Sequence, residues 1–97
     1  MNRDYSIKKW VYTSEGGESS TFSDRVTLYK GSKVDCMKWL KVKYLDLAIK
    51  AVDALDLADF DKYDISIEED RVCYTTIRNG DSYLYISVTY VMEPKFF

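Results

Sequence analysis

The segment RVCYTTIRNGDSYLYISVTYVM, from Arg71 to Met92, decides the fold, because apolar and polar side chains alternate along it on both sides of a turn signal. Alternation with a period of two is typical of β-strands that bury one face. Asn79-Gly80 separates the two alternating runs. Asn-Gly is the strongest short-range signal for a two-residue hairpin loop, since a type I′ turn needs positive φ at both positions. We therefore predict a β-hairpin.

A two-residue turn would set the register of this hairpin, placing Arg78 opposite Asp81 and Tyr74 opposite Tyr85. The more aliphatic face is then expected to meet the core, and it comprises Cys73, Thr75, Ile77, Leu84, Ile86, Val88, Tyr90 and Met92. The opposite face is expected to point outward, with Val72, Thr76, Ser87, Thr89, Val91 and three neighbouring tyrosines, Tyr74, Tyr83 and Tyr85.

Upstream of the hairpin, the pattern predicts three more strands and one helix. Tyr5–Thr13 and Arg25–Lys30 are predicted strands joined by the flexible loop SEGGESS, and Tyr63–Glu68 is a third. Gly31-Ser32 ends the second strand, and Ser32 is a suitable helix N-cap with Asp35 three residues later.

The helix is predicted over residues 33–56, with one apolar and one solvated face. The apolar face comprises Cys36, Leu40, Tyr44, Leu47, Ala51 and Leu55, and the solvated face comprises Lys43, Asp46, Lys50 and Asp53. A break between residues 42 and 45 is an alternative, because Val42 and Tyr44 are weaker helix formers.

The order β-β-α-β-β-β predicts an α+β fold, an antiparallel sheet of about five strands with one long helix packed on one face. A chain of 97 residues is expected to form a single domain, residues 1–97, around one core. The N-terminus lacks the apolar segment of a signal peptide, and no apolar run has the length of a membrane span, so a cytoplasmic location is expected.

The residue types present argue against catalysis and against cofactors. Histidine is absent, and Cys36 and Cys73 form neither a disulfide framework nor a zinc motif. The sequence contains no phosphate-binding glycine loop, no nucleophile elbow and no metal-ligand spacing. We therefore expect no enzymatic activity, no cofactor and no metal.

Charge is distributed unevenly along the chain, although the net charge is only −2. Residues 51–97 contain ten acidic and four basic side chains. The predicted partner-binding surface combines this acidic run with the outward tyrosines: Asp56, Asp59, Asp61, Asp64, Glu68, Glu69, Asp70, Tyr74, Tyr83 and Tyr85. Such a surface would dock onto a basic site of a partner protein. The simpler interpretation is a solvated helix end and turn, with tyrosines that merely pair across strands.

The segment YKGSKVDCMKWL, residues 29–40, resembles a pattern in small proteins of bacteriophages and mobile elements of Gram-positive bacteria. In that pattern a strand ends in an aromatic residue, any residue, glycine and then serine or threonine. A short helix follows with an acidic residue, cysteine, any two residues, an aromatic residue and leucine. The matching residues are Tyr29, Gly31, Ser32, Asp35, Cys36, Trp39 and Leu40. The resemblance covers about a dozen residues and implies context only: an accessory protein that inhibits a host protein, such as an anti-CRISPR-type inhibitor of a defence nuclease.

Three functions follow as hypotheses. The first is a non-enzymatic binding protein that inhibits a host protein, for instance a nucleic-acid-handling nuclease, through the acidic and tyrosine surface. The second is a nucleic-acid-binding module that uses the tyrosines or the lysines near the helix start, Lys33, Lys38, Lys41 and Lys43. The third is a structural homo-oligomer, such as a homodimer, that pairs through the last strand as an exposed sheet edge.

Overall fold

The structure is a computed structural model that describes residues 4–16, 19–56, 62–78 and 84–94. An antiparallel sheet with one helix confirms the predicted α+β class, and the described residues form six strands where about five were expected. The elements are β1 (Tyr5–Glu15), β2 (Ser19–Phe22), β3 (Val26–Gly31), α1 (Lys33–Asp56), β4 (Lys62–Ile67), β5 (Arg71–Arg78) and β6 (Leu84–Pro94). Within these residues no helix is long and apolar enough to cross a membrane.

The strands follow the order β2-β1-β6-β5-β4, and β3 shares an edge of β1 with β2. β6 pairs with β1 along eleven residues and with β5 on its other side. The last strand is therefore central, and the expectation that it forms an exposed edge is wrong. The edges of the sheet are β4 on one side and the β2–β3 pair on the other.

Ser23 joins β2 and β3 into one nearly continuous edge. Its backbone N–H donates to the Val11 carbonyl oxygen at 2.8 Å, and its Oγ accepts from the Val11 N–H at 2.8 Å. The predicted loop over SEGGESS is also shorter than expected, because Ser14 pairs with Ser20 and Glu15 pairs with Ser19. Gly16, at φ 61°, supplies the left-handed conformation that this tighter connection needs.

The helix runs without interruption from Lys33 to Asp56, so the alternative of a break at residues 42–45 is wrong. The predicted cap is confirmed, since the Asp35 N–H donates to Ser32 Oγ at 3.1 Å. The helix continues through the weaker helix formers Val42 and Tyr44, because most helical stability in proteins comes from burial of an amphipathic face.

The core lies between α1 and one face of the sheet. The helix contributes Cys36, Leu40 and Leu47, and the sheet contributes Ile7, Val72, Val88, Tyr90 and Met92. The predicted inward face of β6 is therefore confirmed at Val88, Tyr90 and Met92, each 6% exposed or less.

The register of the β5–β6 hairpin differs from the two-residue turn. Arg78 pairs with Leu84 and Tyr74 pairs with Val88, so β6 is displaced by three residues relative to the prediction. Asn79, Gly80 and the rest of the loop up to residue 83 lie outside the described residues. An odd displacement exchanges the faces of one strand relative to the other.

The outcome for β5 is the reverse of the predicted orientation. Val72, Tyr74 and Thr76 face the helix, whereas Cys73, Thr75 and Ile77 lie on the opposite face. The neighbouring strand gives the physical reason. Ile65 pairs with Tyr74, and both pack against the core that includes Val72, so this orientation places the three together beneath the helix. The Asn-Gly signal is local and carries no information about this pairing.

Candidate partner-binding surface

The face of the sheet opposite α1, called the open face below, carries an aromatic cluster. The cluster consists of Tyr12 on β1, Phe22 on β2 and Tyr85 on β6. The ring centroids of Tyr12 and Phe22 are 4.8 Å apart and tilted by 54°, and those of Tyr12 and Tyr85 are 5.9 Å apart with an edge-on angle of 72°. Phe22 is 73% exposed, whereas Ser6 and Val91, at the other end of the same face, are buried. An exposed aromatic group of this kind is unusual on a surface that contacts only water.

Strand pairing places these three rings together. Tyr12 lies directly opposite Phe22, and such pairs on one face bring side chains into contact. Tyr85 lies opposite Ser14, which makes it a diagonal neighbour of Tyr12. Diagonal neighbours are within reach of long aromatic side chains. The cluster therefore depends on three strands that are distant in sequence.

Trp10, which lies on β1 and on the same open face as Tyr12, has the guanidinium group of Arg25 over its ring. The Arg25 guanidinium carbon is 4.5 Å from the Trp10 ring centroid. Arg25 Nη1 also contacts Glu93 Oε1 at 2.8 Å, and Lys8 Nζ contacts Glu93 Oε2 at 3.3 Å. Glu93 thus partly neutralises Lys8 and Arg25, which weakens the attraction of both side chains for an anion.

The structure separates the predicted tyrosine set. Tyr85 lies on the open face, as expected, but Tyr74 lies on the helix face and stacks on Tyr63 with centroids 5.6 Å apart and planes 10° apart. Burial there raises the pKa of Tyr74 above its ordinary value. Tyr83 lies outside the described residues. The predicted contact between Tyr74 and Tyr85 is therefore wrong, and Tyr85 contacts Tyr12 instead.

The acidic residues of the predicted set that the structure describes lie in three places. Asp64 lies on the open face in the row that crosses Thr75, Ser87 and Tyr12, roughly 14 Å from Tyr12 at the usual strand spacing. It contacts Lys62 Nζ at 3.3 Å. Glu68, Glu69 and Asp70 lie at the turn between β4 and β5.

Part of the acidic charge is paired locally. Arg71 Nε lies 3.3 Å from Asp70 Oδ1 and 3.8 Å from Glu68 Oε2. Asp56 ends α1, and Asp59 and Asp61 lie outside the described residues. Of the predicted partner-binding residues, the structure places Asp64 and Tyr85 together on the open face.

Of the lysines considered for nucleic-acid contact, Lys38 and Lys43 line one groove together with acidic side chains. Lys43 was expected on the solvated face, but its side chain is only 27% exposed and its Nζ lies 5.1 Å from the Tyr90 ring centroid. Beside it, a groove of about 520 Å³ runs between α1 and β3, with Tyr29 and Trp39 in its lining and the acidic side chains of Asp35 and Asp46 at the same place. The mixture of signs does not make a basic track for phosphates.

The two thiols lie in different surroundings. Cys36 is buried, and that burial raises the pKa of its thiol. Cys73 lies on the open face with its Sγ 3.6 Å from both Ser87 Oγ and Thr89 Oγ1. In the part of the chain that the structure describes, no group of three or more His, Cys, Asp or Glu side chains is placed to hold a metal ion.

The outward side of α1 carries an apolar surface that the sequence reasoning missed. Its members, called the outer stripe below, are exposed by 60–67%: Val42, Leu45, Ile49 and Val52. The solvated face had been expected to be polar. The signal was present in the sequence as intervals of three, four and three residues, but the inward periodicity of Cys36, Leu40 and Leu47 concealed it.

Comparison of this chain with protein-family models, with curated proteins and with solved structures finds no match. The resemblance to small phage and mobile-element proteins therefore stays a prediction. Its residues have clear structural roles in this fold, because Ser32 caps α1 while Cys36 and Leu40 enter the core. Function must be inferred from the surfaces of the chain itself.

Proposed function

We propose that this chain is a small non-enzymatic binding protein that contacts a partner protein through the aromatic cluster on the open face. The observation that carries this proposal is Phe22, a large aromatic side chain that is 73% exposed yet held against Tyr12 by strand pairing. Aromatic side chains are enriched in protein interfaces, because they bury a large area with little loss of conformational entropy. A partner covering Phe22 would also cover Tyr12 and Tyr85.

The electrostatics of the open face favour a protein over a nucleic acid. Base stacking on a sheet is usually accompanied by a basic groove that follows the backbone. Here Lys8 and Arg25 share Glu93, and the whole chain carries a net charge of −2. The aromatic cluster by itself would suit stacked bases, so nucleic-acid binding is the alternative. A mobility shift with single-stranded RNA or DNA at low salt would support that alternative.

Asp64 extends the proposed surface toward a basic partner. It lies on the same face as Tyr85, and its side chain is 62% exposed. Charge at the rim of an interface chiefly steers association and selects partners. A partner with basic residues beside an apolar pocket fits this arrangement.

The biological setting follows from the resemblance of residues 29–40 alone. It suggests a bacteriophage or mobile-element protein that acts in the bacterial cytoplasm on a host protein. An anti-CRISPR-type inhibitor of a nucleic-acid-handling nuclease is the specific form of this proposal. A partner that offers a basic, nucleic-acid-binding surface would agree with the charge of Asp64 and of the neighbouring acidic segment.

Affinity capture from host lysate, followed by titration of the identified protein, tests the surface. Phe22→Ala should weaken binding by tenfold or more, since truncating a central interface residue typically costs more than ~1.4 kcal/mol. Leu28→Ala is the matched control, because Leu28 is an exposed apolar residue on β3 and takes no part in the cluster. Equal affinity of the Phe22→Ala variant and the original protein would contradict the proposal.

The acidic contribution is tested separately by charge reversal. Asp64→Lys, alone and together with Asp59→Lys and Asp61→Lys, should slow association with the captured partner, and added salt should reduce the difference. An association rate that does not respond to these reversals would remove the acidic residues from the interface and leave the aromatic proposal standing.

A further inference from the structure

The outer stripe is exposed on the side of the molecule opposite the open face. Val42, Leu45, Ile49 and Val52 line one side of α1, while Cys36, Leu40 and Leu47 on its other side pack against the sheet. The helix is the outermost layer of the described fold, so a second helix can approach this stripe without displacing any described element. Ten residues separate Val42 from Val52, which corresponds to a seam of roughly 15 Å at 1.5 Å per residue.

The spacing and the residue types of the outer stripe match a coiled-coil seam. Intervals of three, four and three residues place Val42 and Ile49 at heptad position a, and Leu45 and Val52 at position d. β-branched residues at a combined with leucine at d favour two parallel helices; this seam has that combination at Val42, Ile49 and Leu45, with valine at the second d position. Lys38 occupies the preceding d position and ends the apolar seam on that side.

One pair of charges beside the stripe agrees with the same arrangement, although Asp46 also contacts Lys50 Nζ of its own helix at 3.1 Å. In this heptad Lys41 lies at position g and Asp46 at position e. In a parallel pair, g of one helix faces e of the following heptad in the other helix. Lys41 of each copy would then meet Asp46 of the other copy, twice across a two-fold axis. An antiparallel pair matches g with g and e with e, so it would not bring Lys41 to Asp46.

We propose that two copies of this chain associate through α1 as a parallel, two-fold symmetric dimer, with Val42, Leu45, Ile49 and Val52 as its seam. Each helix is already folded on its own sheet, so the nucleation cost that makes short isolated coiled coils unstable does not arise. A seam of this length buries less than the ~800 Å² per partner of a standard interface. The dimer is therefore reversible and depends on protein concentration.

This dimer goes beyond the proposed partner binding, because it uses the other side of the molecule. The two open faces would point away from each other, and each copy would present its own Tyr12, Phe22 and Tyr85. A dimer of this form could engage two partner molecules, or two sites of one assembly, with higher avidity than a single chain.

Analytical ultracentrifugation of the full chain over a concentration series tests the seam. The original protein should shift from monomer to dimer as concentration rises through the micromolar range. Leu45→Lys should raise the dissociation constant by tenfold or more, because it places a charge in the seam of both copies. Leu45 is 60% exposed, so the variant should remain folded by circular dichroism. Val26→Lys is the control, since Val26 is 54% exposed on β3 and should leave the dissociation constant unchanged.

A charge swap tests the parallel orientation. Lys41→Glu should weaken the dimer several-fold, and adding Asp46→Lys should recover most of that loss. Asp46→Lys alone is the control, because Asp46 also pairs with Lys50 of its own helix. A protein that stays monomeric throughout the series overturns the dimer, as does association that Leu45→Lys does not weaken. Failure of the double variant to restore association overturns the parallel arrangement. Phe22→Ala should leave the dimer intact, so this test is independent of partner binding.

Discussion

Leu40 and Leu45 allow a direct test of which side of α1 holds the fold together. They have the same chemistry on the same helix, but Leu40 is 2% exposed and Leu45 is 60% exposed. Leu40 belongs to the cluster formed with Ile7, Cys36 and Val72. Leu40→Ala removes buried methyl groups and leaves a cavity, which typically destabilises a protein by ~2–5 kcal/mol.

Leu45→Ala should have a much smaller effect in the monomer. Only the buried minority of its side chain contributes, which at ~1.5–3 kcal/mol for full burial gives about 1 kcal/mol or less. Alanine is also the stronger helix former, which offsets part of that loss. We therefore expect Leu40→Ala to destabilise the protein by about 1 kcal/mol or more beyond the effect of Leu45→Ala.

Urea unfolding at low micromolar concentration, where dimer formation is minimal, measures both variants. Tryptophan fluorescence and far-ultraviolet circular dichroism should report the same transition. With a slope of ~1–3 kcal/mol per M, the midpoint of Leu40→Ala should fall by roughly 0.3 M or more below that of Leu45→Ala. Equal midpoints, or a lower midpoint for Leu45→Ala, would show that the assignment of the inward face is wrong.

Three further changes probe single groups. Burial raises the pKa of Tyr90 to about 12, so its contribution to stability is complete below pH ~10 and declines as pH rises toward that value. Unfolding measured against pH should show that Tyr90→Phe removes a decline on the order of 1–2 kcal/mol, since two pKa units correspond to ~2.7 kcal/mol before screening by solvent. Ser32→Ala removes the acceptor of the Asp35 N–H and should lower the free energy of unfolding by ~0.5–2 kcal/mol, whereas Ser32→Asp should retain most of it. Ser23→Ala removes the acceptor of the Val11 N–H, so hydrogen exchange at Val11 should accelerate while global stability falls by about 1 kcal/mol or less; unchanged exchange would contradict the role of this bond.

Local patterns predicted the elements of this fold well. Ser32 and Asp35 marked the start of α1, because capping depends on residues only three positions apart. Cys36, Leu40 and Leu47 were correctly assigned to the buried side, since a period of 3.6 requires no knowledge of the partner surface. β2 was missed, because a polar strand of four residues has no apolar alternation to reveal it.

The candidate surface was harder to predict, because it depends on pairing between distant strands. Tyr85 was correctly placed on the outward face of β6, since that strand has one clearly aliphatic side. Tyr74 was misplaced, because the two sides of β5 are similar in polarity and the Asn-Gly signal favoured the wrong register. Phe22 was not considered at all, since its importance appears only when β2 pairs with β1 beside Tyr12.

The sequence by itself determined that a helix with one buried side would cover an antiparallel sheet, and that β6 would turn Val88 and Tyr90 inward. These properties follow from periodicity within single segments. The tertiary structure decided the strand order, the orientation of β5 and the side chains that each outward aromatic residue contacts. The physical reason is that an alternating strand can pair in two registers of similar local energy. The choice between these registers depends on burial of Ile65, Tyr74 and Val72 beneath one helix. That burial energy comes from three elements together, so no single segment of the sequence reveals it.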